Sequence, residues 1–115
     1  MSRAPRSEPT AQRRARAVAF AALGDPTRLS LVARLCGGPP CSISQLTQQT
    51  KLTRQAITKH LRVLEQARIV HGTRSGRESR FAFNPQPIED LKKYLDLVSE
   101  QWDDALARLR ALVEG

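Results

Sequence analysis

Apolar residues recur at helical spacing in five stretches of the chain and alternate in one. Over residues 11–23 they fall at Ala15, Val18, Ala19, Ala22 and Leu23, and Gly24 ends the pattern. A second helix begins at Asp25-Pro26. Asp25 offers an acceptor to the free N–H groups of a first turn, and Pro26 suits the first helical position, where no donor is needed. Leu29, Leu31, Val32 and Leu35 supply its inward face, and Gly37-Gly38-Pro39-Pro40 stops it. Ser42-Ile43-Ser44-Gln45 fits a capping box that opens a short helix through Gln49, with Ile43 and Leu46 inward. Thr53 caps the next helix, over residues 53–67, whose inward stripe is Ile57, Leu61 and Leu64. The face left outside holds Arg54, Gln55, Thr58, Lys59 and Arg62.

The pattern changes at Ile69-Val70. Ser75-Gly76 is a turn signal, and the return through Phe81 and Phe83 alternates, so residues 69–83 are expected to form a β-hairpin. Arg74, Arg77 and Arg80 sit at its tip. Asn84-Pro85-Gln86-Pro87 breaks the strand. A long helix is then expected over residues 87–114. Ile88, Leu91, Leu95, Val98, Trp102, Ala105, Leu109 and Leu112 follow one another in alternating steps of three and four, a heptad seam.

A capped helix pair followed by a hairpin is a winged helix-turn-helix arrangement, mainly α with a small β component. The major groove admits one α-helix, so a reading helix has to be short, backed by apolar residues and polar outward. Residues 53–62 meet those conditions.

Charge supports a polyanion partner. The chain of 115 residues carries 19 Lys and Arg against 11 Asp and Glu, net +8. The excess is localised: residues 51–80 hold eight basic and two acidic groups, residues 81–115 four basic and seven acidic. With 40% hydrophobic residues the chain can bury a core, read as one domain over residues 11–115 behind a basic tail at 1–10. Five aromatic residues are too few for a surface that reads single strands by stacking, and the winged helix-turn-helix reading points to duplex DNA. The longest strongly apolar run has seven residues, so no membrane partner and no leader are expected. Two cysteines fit a reducing cytoplasmic setting.

At this point the residues carry a family likeness. Ala22-Leu23-Gly24-Asp25-Pro26-Thr27-Arg28-Leu29 resembles the opening signature of the ArsR/SmtB repressors. The run from Arg54 to Glu65 resembles that family's reader helix, and Arg74-Ser75-Gly76-Arg77 its wing. Trp102-Asp103-Asp104 and the Leu-rich end are similar to a branch with a long final helix and without the usual metal ligands. The resemblance implies a homodimeric transcriptional repressor on a near-palindromic operator, with an inducer of unspecified chemistry. The DNA-contacting set would be Thr53, Arg54, Gln55, Thr58, Lys59, His60, Arg62, Arg74, Arg77 and Arg80. The subunit interface would be Ala15, Val18, Ala22, Leu91, Leu95, Val98, Trp102 and Leu109.

No metal and no cofactor are expected. Metal-sensing members carry Cys-x-Cys where this chain has Ser42-Ile43-Ser44, and the final helix has no His. His60 lies within the reader helix as a packing or phosphate-contacting residue, and His71 starts the hairpin. Cys36 and Cys41 flank the Gly-Gly-Pro-Pro bend and can meet on oxidation, which would make the fold a thiol or metalloid sensor. The plainer reading is two reduced thiols. No nucleophile, acid pair or phosphate loop points to an enzyme. The alternative to a regulator is a coiled-coil adaptor, for which three wing arginines beside a capped helix have no use.

Overall fold

The computed structural model describes residues 9–115, so most of the basic tail at 1–10 lies outside the described residues. The order is α1 (Thr10–Leu23), α2 (Pro26–Cys36), β1 (Cys41–Ser42), α3 (Ile43–Gln49), α4 (Arg54–Gln66), β2 (Val70–Ser75), β3 (Glu78–Phe83) and α5 (Pro85–Glu114). Thr10 belongs to α1 rather than to the tail, because the Pro9 carbonyl accepts from the N–H groups of Gln12 and Arg13 at 3.1 Å each.

Side-chain caps fix four helix starts, three of them ahead of the hairpin. The Asp25 carboxylate accepts from the Arg28 N–H at 3.0 Å. The Ser42 hydroxyl accepts from the Gln45 N–H at 3.1 Å while the Gln45 side chain accepts from the Ser42 N–H at 2.8 Å, a complete capping box. The Thr53 hydroxyl accepts from the Ala56 N–H at 3.1 Å.

These starts aim one apolar face of each helix at a common core of Ala19, Ala22, Leu31, Leu35, Leu46, Ile57, Leu61 and Leu64, closed by Ile69, Val70 and Leu91. Each buried Leu or Ile contributes about 1.5–3 kcal/mol. Leu29 is not part of it: it is 52% exposed. The inward stripe of α2 is Leu31 and Leu35, one turn apart, and a residue two before Leu31 points to the opposite side.

β2 and β3 pair antiparallel, Val70 with Phe83 through Ser75 with Glu78, around Gly76 at φ +65°. A third strand also exists. β1 pairs with β3, Cys41 with Phe81 and Ser42 with Arg80, so the sheet order is β1-β3-β2. The hairpin is thereby hydrogen-bonded to the residue that caps α3.

The junction between α4 and β2 turns through Arg68 at φ +63°. Its N–H donates to the Glu65 carbonyl at 2.9 Å, and the Ile69 N–H donates to the Leu64 carbonyl at 3.0 Å, a Schellman closure of α4.

α5 starts at Pro85, two residues earlier than the proline cluster suggests. Asn84 caps it, accepting from the Gln86 N–H at 3.4 Å, and prolines in a first turn remove no intrahelical bond. Its first half packs on α1: Arg16 reaches Asp90 at 3.2 Å and lies 4.7 Å over the Tyr94 ring, which meets Phe20 edge-on. Ala22, Leu91 and Val98 are buried within the chain itself, unlike the other residues of the expected interface set. Ala15, Val18, Leu95, Trp102 and Leu109 remain exposed, and every residue from Ser99 onward is exposed. No helix among the described residues is long and apolar enough to cross a membrane.

Candidate nucleic-acid interface

With Ile57, Leu61 and Leu64 fully buried, α4 is fixed with its polar side outward. Arg54, Gln55, Thr58 and Lys59 line an open depression of about 540 Å³ along that side, and Arg62 is exposed one turn further on. The Thr58 hydroxyl donates to the Arg54 carbonyl at 2.7 Å, so its proton is already engaged within the helix. Gln55 is exposed, with an amide that has both a donor and an acceptor to offer.

Arg54 leans away from that row. Its guanidinium donates to the Ser44 hydroxyl of α3 at 2.9 Å. It also lines a groove of about 450 Å³ between the N-terminal ends of α3 and α4 and the hairpin, together with Ser42, Ile43, Ser44, Arg77, Glu78 and Ser79.

The three wing arginines do not share a face. Register places Thr73 opposite Arg80 and Arg74 opposite Ser79. Arg74 therefore lies on the side of Ser79 and Phe81, which packs toward the helices, and Arg80 on the other. Arg80 is also ion-paired with Glu78 at 3.1 Å, which leaves Arg77, in the turn, and Arg74 as the less engaged cations of the wing.

His60 is placed elsewhere than on the reading row. Its Nδ1 faces the Arg28 guanidinium at 3.3 Å and Asp25 at 4.0 Å. Arg28 at the same time donates to the carbonyls of Ala22 at 2.7 Å and Ala21 at 3.4 Å, closing the end of α1. The Gly-Asp-Pro-Thr-Arg signature is thus a joint: Asp25 starts α2, Arg28 ends α1, and His60 ties both to α4. The backbone N–H of Arg28 holds the Asp25 carboxyl below the ordinary carboxylate range, helped by the nearby charge of Arg28 and by His60. Spacing alone gives no sign of this joint, because Arg28 and His60 stand 32 residues apart.

Cys36 is exposed at the end of α2 and Cys41 is buried in β1, both as free thiols, with the Cys41 thiol turned to the Pro39 carbonyl at 3.5 Å.

Comparison with known proteins shows the family to which this fold belongs. A helix-turn-helix domain family matches residues 23–73, from the end of α1 into β2. The chain is 31% identical over 97 residues to the HTH-type transcriptional regulator Rv2034 of Mycobacterium tuberculosis, covering 84% of this chain and 87% of that protein. It is 38% identical over 80 residues to the uncharacterized HTH-type transcriptional regulator YuzN of Bacillus subtilis, covering 64% and 87%. Its fold matches an ArsR-like transcriptional regulator from Rhodococcus sp. RHA1 with a TM-score of 0.75 and 30% identity, over 90% of this chain and 96% of that one. The protein belongs to the ArsR family of winged helix-turn-helix regulators. It is a DNA-binding transcriptional regulator, and in this chain α4 and the wing carry exposed polar and basic residues.

Proposed function

We propose that this ArsR-family regulator is a homodimeric repressor. Each subunit lays α4 in the major groove of one half of a near-palindromic operator and rests its wing on the neighbouring backbone. It acts by binding rather than by catalysis, in the cytosol, without a resident metal or cofactor.

The bare apolar face of α5 carries the dimer. Trp102, Leu106 and Leu109 are 56–57% exposed, Leu112 and Val113 77–78%. The described chain has a radius of gyration of 18.7 Å, against about 13 Å for a closed domain of this length. Covering those five side chains offers on the order of 1.5–3 kcal/mol each before the cost of ordering. A second α5, with Val18 and Ala15 of α1, supplies a matching apolar surface.

Gln55 is assigned to base edges, where its amide can pair two-pronged with adenine, and Lys59 and Arg62 to phosphate or guanine. The test begins with selection of bound fragments from random duplex DNA. Sedimentation should give about twice the chain mass at micromolar concentration, alone and per operator bound. Gln55→Ala should cost about 1–3 kcal/mol on the selected operator and little on random duplex. A monomer that holds the operator tightly ends the dimer reading. An equal loss on both duplexes removes Gln55 from base reading.

A further inference from the structure

The groove between the helix pair and the wing sorts its arginines differently from their positions in sequence. Arg54 follows the α4 cap and stands beside Gln55, which by spacing alone would make it a base reader. It lines the reading row, but its hydrogen bond to Ser44 draws the guanidinium toward the groove, where Arg77 of the wing turn forms part of the opposite wall. The remaining charged lining residue is Glu78, whose carboxylate is held by Arg80 at 3.1 Å. Arg54, Arg77 and Glu78 together leave the groove with one net positive charge.

We infer that Arg54 and Arg77 together hold a single backbone phosphate of the bound duplex in this groove, so that Arg54 is a backbone contact and not a reader of bases. The inference rests on the reading that this face binds duplex DNA.

The chemistry fits a phosphodiester. Such a group carries one negative charge, matching the net charge of the lining. Guanidinium groups on two walls can each donate to its unesterified oxygens. The hydroxyl of Ser44 keeps Arg54 oriented before DNA arrives, which lowers the ordering cost of the contact. The walls themselves are braced: β1 joins the α3 cap to β3, the strand that follows Arg77, so the distance between them is set by backbone pairing rather than by a free hairpin. The phosphate then fixes the wing and the reader helix to one point on the backbone, and Gln55, the next residue along α4, is thereby set in register with the groove.

The phosphate-sharing has a signature, slope losses that do not add, that does not depend on the operator. Each neutralised phosphate contributes about 0.9 to the slope of log K against log salt. If two arginines share one phosphate, either alone still neutralises it, and only the loss of both removes it. The experiment measures fluorescence-anisotropy titrations of the full chain on a random-sequence 30-base-pair duplex between 50 and 200 mM KCl. It compares the parent, Arg54→Ala, Arg77→Ala and the double variant, with circular dichroism melts to verify that each is folded.

The expected result is a small slope change in each single variant and a loss of about 0.9 per bound subunit in the double, more than the singles combined. Across that salt range this makes the double variant about 3.5-fold less sensitive per subunit than the parent. Ser44→Ala should leave the slope unchanged and weaken binding modestly at every salt concentration. Slope losses that simply add, about 0.9 for each arginine, place them on separate phosphates and overturn the inference while leaving DNA binding intact. No slope change in the double variant overturns it as well. A parent protein without salt-dependent binding removes this inference and the DNA reading together.

Discussion

The two most amphipathic helices of this chain meet opposite fates. α4 has Ile57, Leu61 and Leu64 at 0–1% exposure, and its polar side is the one left to a partner. α5 has Leu91 at 4% and then loses cover: beyond Val98 its seam residues Trp102, Leu109 and Leu112 stand in the open. α1 explains the difference. At 14 residues it spans about 21 Å, while the 30 residues of α5 span about 45 Å, so the chain can cover only the first half of its own last helix. A helix whose apolar stripe is satisfied at home offers chemistry to a polar partner. One whose stripe is left over offers area to an apolar one.

The comparison breaks most visibly through paired truncations. Leu61→Ala opens a cavity in the sealed stripe and should cost about 2–5 kcal/mol, lowering the urea midpoint at every protein concentration. Leu109→Ala, the same chemical change on the bare stripe, should leave the melting of residues 9–98 untouched and act only through association. Equal, concentration-independent losses from the two would mean that α5 is not a leftover surface. Trp102→Asp sharpens the same point. A charge at the centre of the proposed seam should weaken self-association by about 2 kcal/mol or more, roughly thirty-fold, read by sedimentation across a dilution series. An unchanged dimer mass would move the interface elsewhere.

Features local in sequence were legible in it. Asp25, Ser42 and Thr53 each act within three residues, and their caps lie where the spacing puts them. The α4 stripe is periodic enough to name residue by residue. What escaped depends on register or on contacts between distant segments. β1 is two residues long, below any alternation signal, and only its pairing with Phe81 and Arg80 defines it. That Arg80 faces away from Arg74 follows from the register of a hairpin, where one position flips a side chain to the other face. His60 reads from sequence as a packing or phosphate-contacting residue, and nothing local shows that Arg28 meets it from 32 residues away. Leu29 was assigned inward by hydrophobicity, although helical geometry sets it opposite Leu31. Spacing carries the heptad seam from Ile88 to Leu112 without marking which part of it packs within the chain. Only the packing of α1 divides it into a half that belongs to the core and a half that does not.

A smaller effect concerns how α4 hands the chain to the wing. Arg68 holds a left-handed conformation at φ +63°, which crowds its Cβ, and it does so because the Schellman closure and the Asn84 bond to its carbonyl at 2.8 Å require that turn. Arg68→Gly should therefore stabilise the fold by about 1 kcal/mol, raising the thermal midpoint by several degrees, without a change in association. A lower midpoint would show that the Arg68 side chain contributes more than its backbone conformation costs.

The smallest effect lies at the joint between α1, α2 and α4. The Arg28 N–H, and behind it the charge of Arg28, hold the Asp25 carboxyl below its ordinary value of 3.8. A carboxyl depressed in the folded state stabilises the fold above the unfolded value, and that contribution drains away as pH falls through the folded one. Asn at this position keeps a cap acceptor while removing the charge, since Asn and Asp cap about equally well. Asp25→Asn should then fold normally, and above about pH 5 its urea midpoint should sit a constant, small distance below that of the parent. Below about pH 4 the two midpoints should converge, because the parent's carboxyl is taking up the proton that Asn never needed. A gap that persists unchanged to pH 2 would mean that the difference comes from cap geometry alone and that the charge of Asp25 plays no part in locking α2 to α4.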